Sequence, residues 1–222
     1  MGKIFKYFGE QAELESKLYG QGCLIGDFVI ETDGLDNKVE IFRHDSEIYE
    51  IIDMLGENVY CEEDKKLQEV LVEFLADNEL KVGTAESCTG GMIASSIIDV
   101  DGASKVFFEG IVSYDNFSKI ERLGVTECTL ALYGAVSEQT AKEMAVGLIG
   151  EYVDIAVSTT GIAGPKGGTP TKPVGLVYIG IAFRDEQPIV EECNFVGSRE
   201  QIRKTATQTA LFKLYNYLRN NL

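Results

Sequence analysis

The chain is short of histidine, basic charge and long apolar runs, and each shortage excludes something. A single histidine, His44, stands among 222 residues. It lies far in sequence from every glycine-rich turn that could carry a reactive group, so a Ser-His-Asp triad is not expected. The five cysteines (Cys23, Cys61, Cys88, Cys128, Cys193) are scattered, odd in number and never form CxxC. That argues against a disulfide framework or a zinc knuckle, and points to a reducing cytoplasm and a chain without metal or other cofactor. No apolar run approaches the ~18–20 residues needed to cross a bilayer. The opening MGKIFKYFGEQ has no signal-peptide core, so neither export nor membrane insertion is expected.

Lysine and arginine number 20 against 36 Asp and Glu, a formal net charge of −16. The first 78 residues carry 19 acidic and 7 basic side chains, the remainder 17 and 13. Such a surface repels phosphate backbones, and a nucleic-acid partner is not expected. A compact anion could still bind where a few cations converge.

The composition is otherwise that of an ordinary globular protein, 45% hydrophobic and 25% charged. The texture changes near residue 62. Before it, KIFKYF, DFVIET and KVEIFRH read as short strands, ELESKLYG and SEIYEIIDML as helices, and DGLDN as a hairpin turn. This predicts a small α+β module over residues 1–62. From residue 63, LQEVLVEFLADN has the apolar spacing of an amphipathic helix. Strands are then predicted at 81–86, 106–113, 153–159, 174–183 and 189–196, with helices at 90–98, 137–149 and 199–219. Ser137 and Ser198 suit N-cap positions, the latter with Gln201 completing a capping box. Strand–helix alternation predicts a three-layer α/β/α sandwich over 63–222. The short RDEQP connection makes the last two strands an antiparallel hairpin and the sheet mixed.

Three segments carry the candidate chemistry. TAESCTGG (84–91) joins a strand to a helix, at the strand end where open α/β sheets gather ligands. Gly90 and Gly91 would bring backbone N–H groups close to an anion at the helix N-terminus. The plainer alternative is a simple turn with Ser87 or Thr89 as N-cap. SYDNFSK places Tyr114 at the end of a strand and Lys119 five residues on, in a following turn. With histidine excluded, a lysine made neutral by burial is the remaining base for a hydroxyl nucleophile, although most lysines are simply solvated. STTGIAGPKGGTPTKPVG (158–175) packs five glycines and three prolines into eighteen residues, which suits an ordered ligand loop better than a flexible connection.

Together AESCTGG, FFEGIVSYDNFSK, LGV, GAVSEQTAKEMA and TGIAGPKGG…KPVG resemble, in order, the C-terminal domain of the CinA family of competence/damage-inducible proteins. The resemblance covers roughly residues 63–222. Residues 1–62 more weakly resemble that family's KH-like middle module, though without a GxxG loop. The resemblance implies a shortened member lacking the nucleotide-processing domain and its pyrophosphatase activity. It further implies a nicotinamide-nucleotide amidase that hydrolyses nicotinamide mononucleotide to nicotinate mononucleotide and ammonia.

Carried over by residue, Ser87 matches the nucleophile and Lys119 its base, with Tyr114 beside them. Thr89, Gly90, Gly91, Thr160, Gly161, Arg199 and Arg203 become candidates for substrate binding, the two arginines for its phosphate. Asp115 and Phe117 replace residues usual in the family's YSNEAK segment, and Leu176 replaces a threonine. Cys88 is expected to point into the core. The partners expected are a small pyridine nucleotide and further copies of the chain, a dimer or larger. The alternatives are an amidase for another carboxamide, and a non-catalytic nucleotide-binding or competence- and repair-linked interaction protein.

Overall fold

The structure, a computed structural model, describes residues 2–222 and divides into two compact units that meet in sequence between Val70 and Leu71. The first unit contains strands β1 (Lys3–Phe8), β2 (Phe28–Asp33), β3 (Asp36–Ile41) and β4 (Val59–Cys61), with helices α1 (Gln11–Gly20) and α2 (Asp45–Leu55). Its sheet is antiparallel, in the order β2-β3-β1-β4. The two-residue Gly34-Leu35 hairpin sets the β2–β3 register, with Gly34 at φ 69 where a side chain would be strained. Phe5, Tyr7, Val39 and Ile41 from the strands pack with Leu14, Leu18, Ile48 and Ile51 from the helices. The short β4 was not foreseen, because VYC is too brief to show alternation.

Helix α3 (Leu67–Asp77) spans the division. In the second unit follow β5 (Val82–Glu86), α4 (Met92–Ile98), β6 (Phe107–Val112), α5 (Asn116–Leu123), α6 (Glu127–Tyr133) and α7 (Glu138–Val146). Then come β7 (Ile155–Gly161), β8 (Leu176–Phe183), β9 (Ile189–Asn194) and α8 (Arg199–Asn221). The sheet order is β6-β5-β7-β8-β9: β5 pairs parallel with β6 and β7, and β8 runs antiparallel between β7 and β9. The mixed sheet and the late hairpin are as the sequence predicts.

Pleating distributes the helices. On β5, Gly83 faces Leu148 and Val153, beyond α7, while Gly110 on β6 faces Thr84 and Ala94 of α4. Ala85, Leu123, Val125, Met144, Leu148 and Ala156 form the core on the α5–α7 side. Helices α4 and α8 cover the opposite face, where Ile93, Ile97, Ile202, Ala206 and Ala210 are buried. Every residue of β5 is buried, as expected of a strand covered on both faces.

Two helices correct the sequence reading. Lys119 sits not in a turn but in α5, whose N-cap Asp115 accepts from Phe117 N and whose end is the left-handed Gly124. Thr126 and Gly134 bracket α6 in the same way. Both helices are only seven or eight residues long, too short for a clear periodic signal. Ser137 and Ser198 are N-caps, and Ser198 with Gln201 forms the expected capping box.

Where α7 ends, Gly147 packs so closely on α5 that a Cβ there would lie 1.9 Å from the Leu123 carbonyl oxygen. Gly147→Ala is therefore expected to cost about 1–3 kcal/mol in urea denaturation, the usual range for overpacking. Gly150→Ala has nothing within 4 Å of the added carbon and serves as the comparison. Equal losses at the two positions would refute the packing account.

Candidate active site

Parallel pairing of β5 with β6 and β7 brings three strand ends together. The ladder continues one residue past each strand: Ser87 N donates to Thr159 O at 2.9 Å, and Ser113 N donates to Glu86 O at 2.9 Å. Ser87 and Ser113 are thus fixed by backbone bonds immediately beyond β5 and β6. Asp115 then caps α5 and turns its first residues so that Lys119 reaches back beneath the strand ends.

Lys119 is 1% exposed, and its Nζ lies 3.0 Å from Ser87 Oγ. The same nitrogen donates to Ser113 O at 2.6 Å and, more weakly, to Tyr114 O at 3.5 Å. A neutral amine has two N–H bonds and one lone pair. In that form the two carbonyls can take the N–H bonds and leave the lone pair for the Ser87 hydroxyl proton; as an ammonium it donates to all three oxygens. Burial lowers the Lys119 pKa from the ordinary 10.5, against an opposing pull from Cys88 and Asp115. Ser87 itself is 9% exposed.

The remaining candidates divide. Tyr114 presents its backbone carbonyl to Lys119, while its ring is 63% exposed and its hydroxyl accepts from Arg199 Nη2 at 3.2 Å. Arg199 Nη1 donates to Gly164 O at 3.0 Å. This exposed arginine therefore links the β6 end to the Gly/Pro loop and keeps other N–H groups unspent. Thr89 is fully buried and shares a hydrogen bond with Thr159 at 2.7 Å. The Thr160 hydroxyl donates to Ala135 O at 2.6 Å. Each hydroxyl bond ties a loop to β7: the turn after Ser87 through Thr89, and the α6–α7 connection through Thr160. At Gly161, an added Cβ would lie 2.6 Å from Val177 Cγ2, so that glycine permits close β7–β8 packing. Lys172 donates to Tyr133 O and Val136 O, each at 2.6 Å, anchoring the far end of the Gly/Pro loop.

Gly91 requires a correction. Neither Ser87 nor Thr89 caps α4; the N-cap is Gly91 itself at φ 92. Its N–H, with those of Ile93 and Ala94, donates to the Glu86 carboxylate at 2.9, 3.1 and 2.9 Å. The anion at this helix start is a buried side chain of the protein, 1% exposed, so those amides cannot hold substrate. Glu86 was missed because a glutamate ending an apolar strand reads as the point where the strand meets water. Arg203 also departs from expectation: Nε donates to Cys88 O at 3.0 Å and Nη2 to Thr89 O at 2.7 Å. Among the described residues, no group of three or more His, Cys, Asp or Glu is placed to hold a metal ion. No helix there is long and apolar enough to cross a membrane.

A three-layer α/β unit with a buried lysine against a serine at the strand ends defines the class. Residues 64–218 match the model of the CinA C-terminal domain, and the chain belongs to that family. A competence-damage inducible protein of Clostridium kluyveri is 53% identical over 163 residues, 73% of this chain and 40% of that protein. A CinA-like protein of Fusobacterium nucleatum is 42% identical, covering 97% of this chain and 60% of the relative. The chain thus spans about two fifths of the length of several curated relatives. Among solved structures, the competence/damage inducible protein CihA from Agrobacterium tumefaciens superposes with a TM-score of 0.63 at 40% identity. That match covers 68% of this chain and 94% of the other. A CinA superfamily protein from Escherichia coli gives 0.65 at 32% identity, covering 68% and 88%.

Cys88, next to Ser87, is 5% exposed, and burial pushes its thiol up to about 11. Since the thiolate is the reactive form, iodoacetamide at pH 8 should alkylate exposed Cys128 and spare Cys88 until the protein is unfolded. Peptide mass mapping reads the outcome. Alkylation of Cys88 in the folded protein at the rate of Cys128 would show that the thiol, not the hydroxyl, is the available nucleophile.

Proposed function

We propose that the protein is a serine amidase acting on nicotinamide mononucleotide, with Ser87 as nucleophile and Lys119 as general base. The observation that carries this reading is the buried Lys119 Nζ, 3.0 Å from Ser87 Oγ and with a lowered pKa. Family membership supports it. Ser87 Oγ attacks the carboxamide carbon as its proton passes to Lys119 Nζ. Negative charge develops on the carbonyl oxygen and is met by backbone N–H groups of the turn after Ser87. As the intermediate collapses, the carbon–nitrogen bond breaks and Lys119 returns the proton, so ammonia leaves. A water, deprotonated by the same amine, then hydrolyses the ester and frees nicotinate mononucleotide and Ser87.

The substrate's phosphate must bind a protein whose overall field opposes it. Arg199 is the cation suited to it: exposed, beside the site, at the start of α8, and braced at Gly164 and Tyr114. A charge-assisted hydrogen bond contributes about 1.5–3 kcal/mol. Arg199→Ala should therefore raise KM for nicotinamide mononucleotide roughly 10-fold or more, and scarcely alter hydrolysis of the phosphate-free riboside. Parallel losses on both substrates would assign Arg199 to the fold instead.

Ammonia release from nicotinamide mononucleotide, insensitive to chelator, is the primary test. Ser87→Ala and Lys119→Ala should each lower turnover by about 10²–10⁴, non-additively, because the pair acts as a unit. The base works only when deprotonated. Activity should therefore rise with pH through a pKa below 10.5, and Lys119→Arg, which keeps its proton, should stay inactive throughout. Full activity in either alanine variant would sink the mechanism.

A further inference from the structure

Two charged side chains grip the Ser87 turn from opposite sides in sequence. Glu86 binds the amides of residues 91, 93 and 94, while Arg203, more than a hundred residues on, binds the carbonyls of Cys88 and Thr89. A guanidinium whose Nε and Nη2 are both committed to backbone carbonyls is poorly placed to serve a phosphate. Its effect on the turn follows from peptide geometry. In a planar trans peptide the N–H points opposite to the preceding C=O. With the carbonyls of residues 88 and 89 drawn toward Arg203, the N–H groups of Thr89 and Gly90 are turned away from it. The Gly90 N–H has no acceptor among the described residues.

Gly90 itself fits this arrangement twice over. Its φ of +63 is the left-handed conformation that glycine adopts without strain. A Cβ there would lie 3.1 Å from Arg203 Nη2, so the guanidinium would have to give by a few tenths of an ångström.

From this geometry we infer that Arg203 is a positioning residue: it orients the Gly90 N–H, in the turn after Ser87, toward the developing oxyanion. The inference rests on the Ser87 amidase reading and replaces the assignment of Arg203 to the substrate's phosphate. Lysine cannot supply the planar two-point contact, so Arg203→Lys keeps the charge and loses the function.

The test compares wild type, Arg203→Lys and Arg203→Ala on nicotinamide mononucleotide and on its phosphate-free riboside. Loss of an oriented oxyanion donor lowers kcat by about 10²-fold or more. That loss is expected in kcat, equally on both substrates, with KM little changed, and guanidinium ion should restore part of the Arg203→Ala activity. A rise in KM confined to the phosphorylated substrate, with kcat intact, overturns the inference, as does unchanged kcat in Arg203→Lys. Should Arg203→Ala fail to fold, Arg203→Lys decides alone. Should wild type release ammonia from neither substrate, the amidase reading fails, and phosphonylation of Ser87 by a fluorophosphonate, followed by mass spectrometry, decides the positioning role. Labelling should then be at least about tenfold slower in Arg203→Lys, since that reaction builds charge on an oxygen in the same place. Equal labelling rates, or none in wild type, overturn it.

Discussion

The second unit is organised around an amine kept out of water. A lysine at 1% exposure is costly to hold as an ammonium, and burial drives it toward the neutral form. What makes that tolerable here is that its nitrogen meets three oxygens, the carbonyls of Ser113 and Tyr114 and the hydroxyl of Ser87. The β5–β6 pairing, the Asp115 cap and the Gly124 stop of α5 all set the distance from one strand end to the neighbouring helix. Shift any of them by a residue and the amine loses a carbonyl or the serine.

Around that amine the fold uses charge to shape backbone rather than to form ion pairs. The Glu86 carboxylate holds three amides, the Arg203 guanidinium two carbonyls, and the Lys172 ammonium two more. Each ion meets several oriented peptide dipoles, and such charge-assisted bonds are stronger than those between neutral groups. The effect is to make loops behave like regular structure. The turn after Ser87, the α6–α7 connection and the Gly/Pro loop each have carbonyls or amides fixed by a side chain from elsewhere in the unit.

Much of the architecture was legible in sequence because the second unit obeys simple local rules. Apolar strands ended by glycine, serine caps at 137 and 198, and a short polar link before β9 gave the layers and the mixed sheet. Helices α5 and α6 were lost for want of length, although Asp115…Gly124 and Thr126…Gly134 carry complete stop and start signals. At the site, spacing alone left Ser87 level with a plain N-cap and Lys119 among ordinary solvated lysines; the resemblance carried by the ordered motifs singled the pair out. The roles of Arg203 and Glu86 were not legible. Arg199 and Arg203 are one turn apart on a helix, a spacing that suggests a shared target. Yet one reaches Gly164 and Tyr114 and the other Cys88 and Thr89. Those partners lie 35 to 115 residues away in sequence, where no periodicity reports them.

The antiparallel placement of β8 bears on how such a site can diversify. A parallel successor to β7 would have needed a crossover carrying the chain to the opposite end of the sheet. Because β8 doubles back, the whole segment from Ile162 to Gly175 stays at the end where Ser87 and Lys119 meet. Ile162 and Gly175 close its ends by backbone bonds, Lys172 ties it to Tyr133 and Val136, and Arg199 holds Gly164. The exposed residues Lys166, Pro170 and Thr171 make no ladder bond, so exchanges there leave the sheet intact. The surface of this loop can therefore vary while the sheet, and the strand ends it aligns, stay as they are.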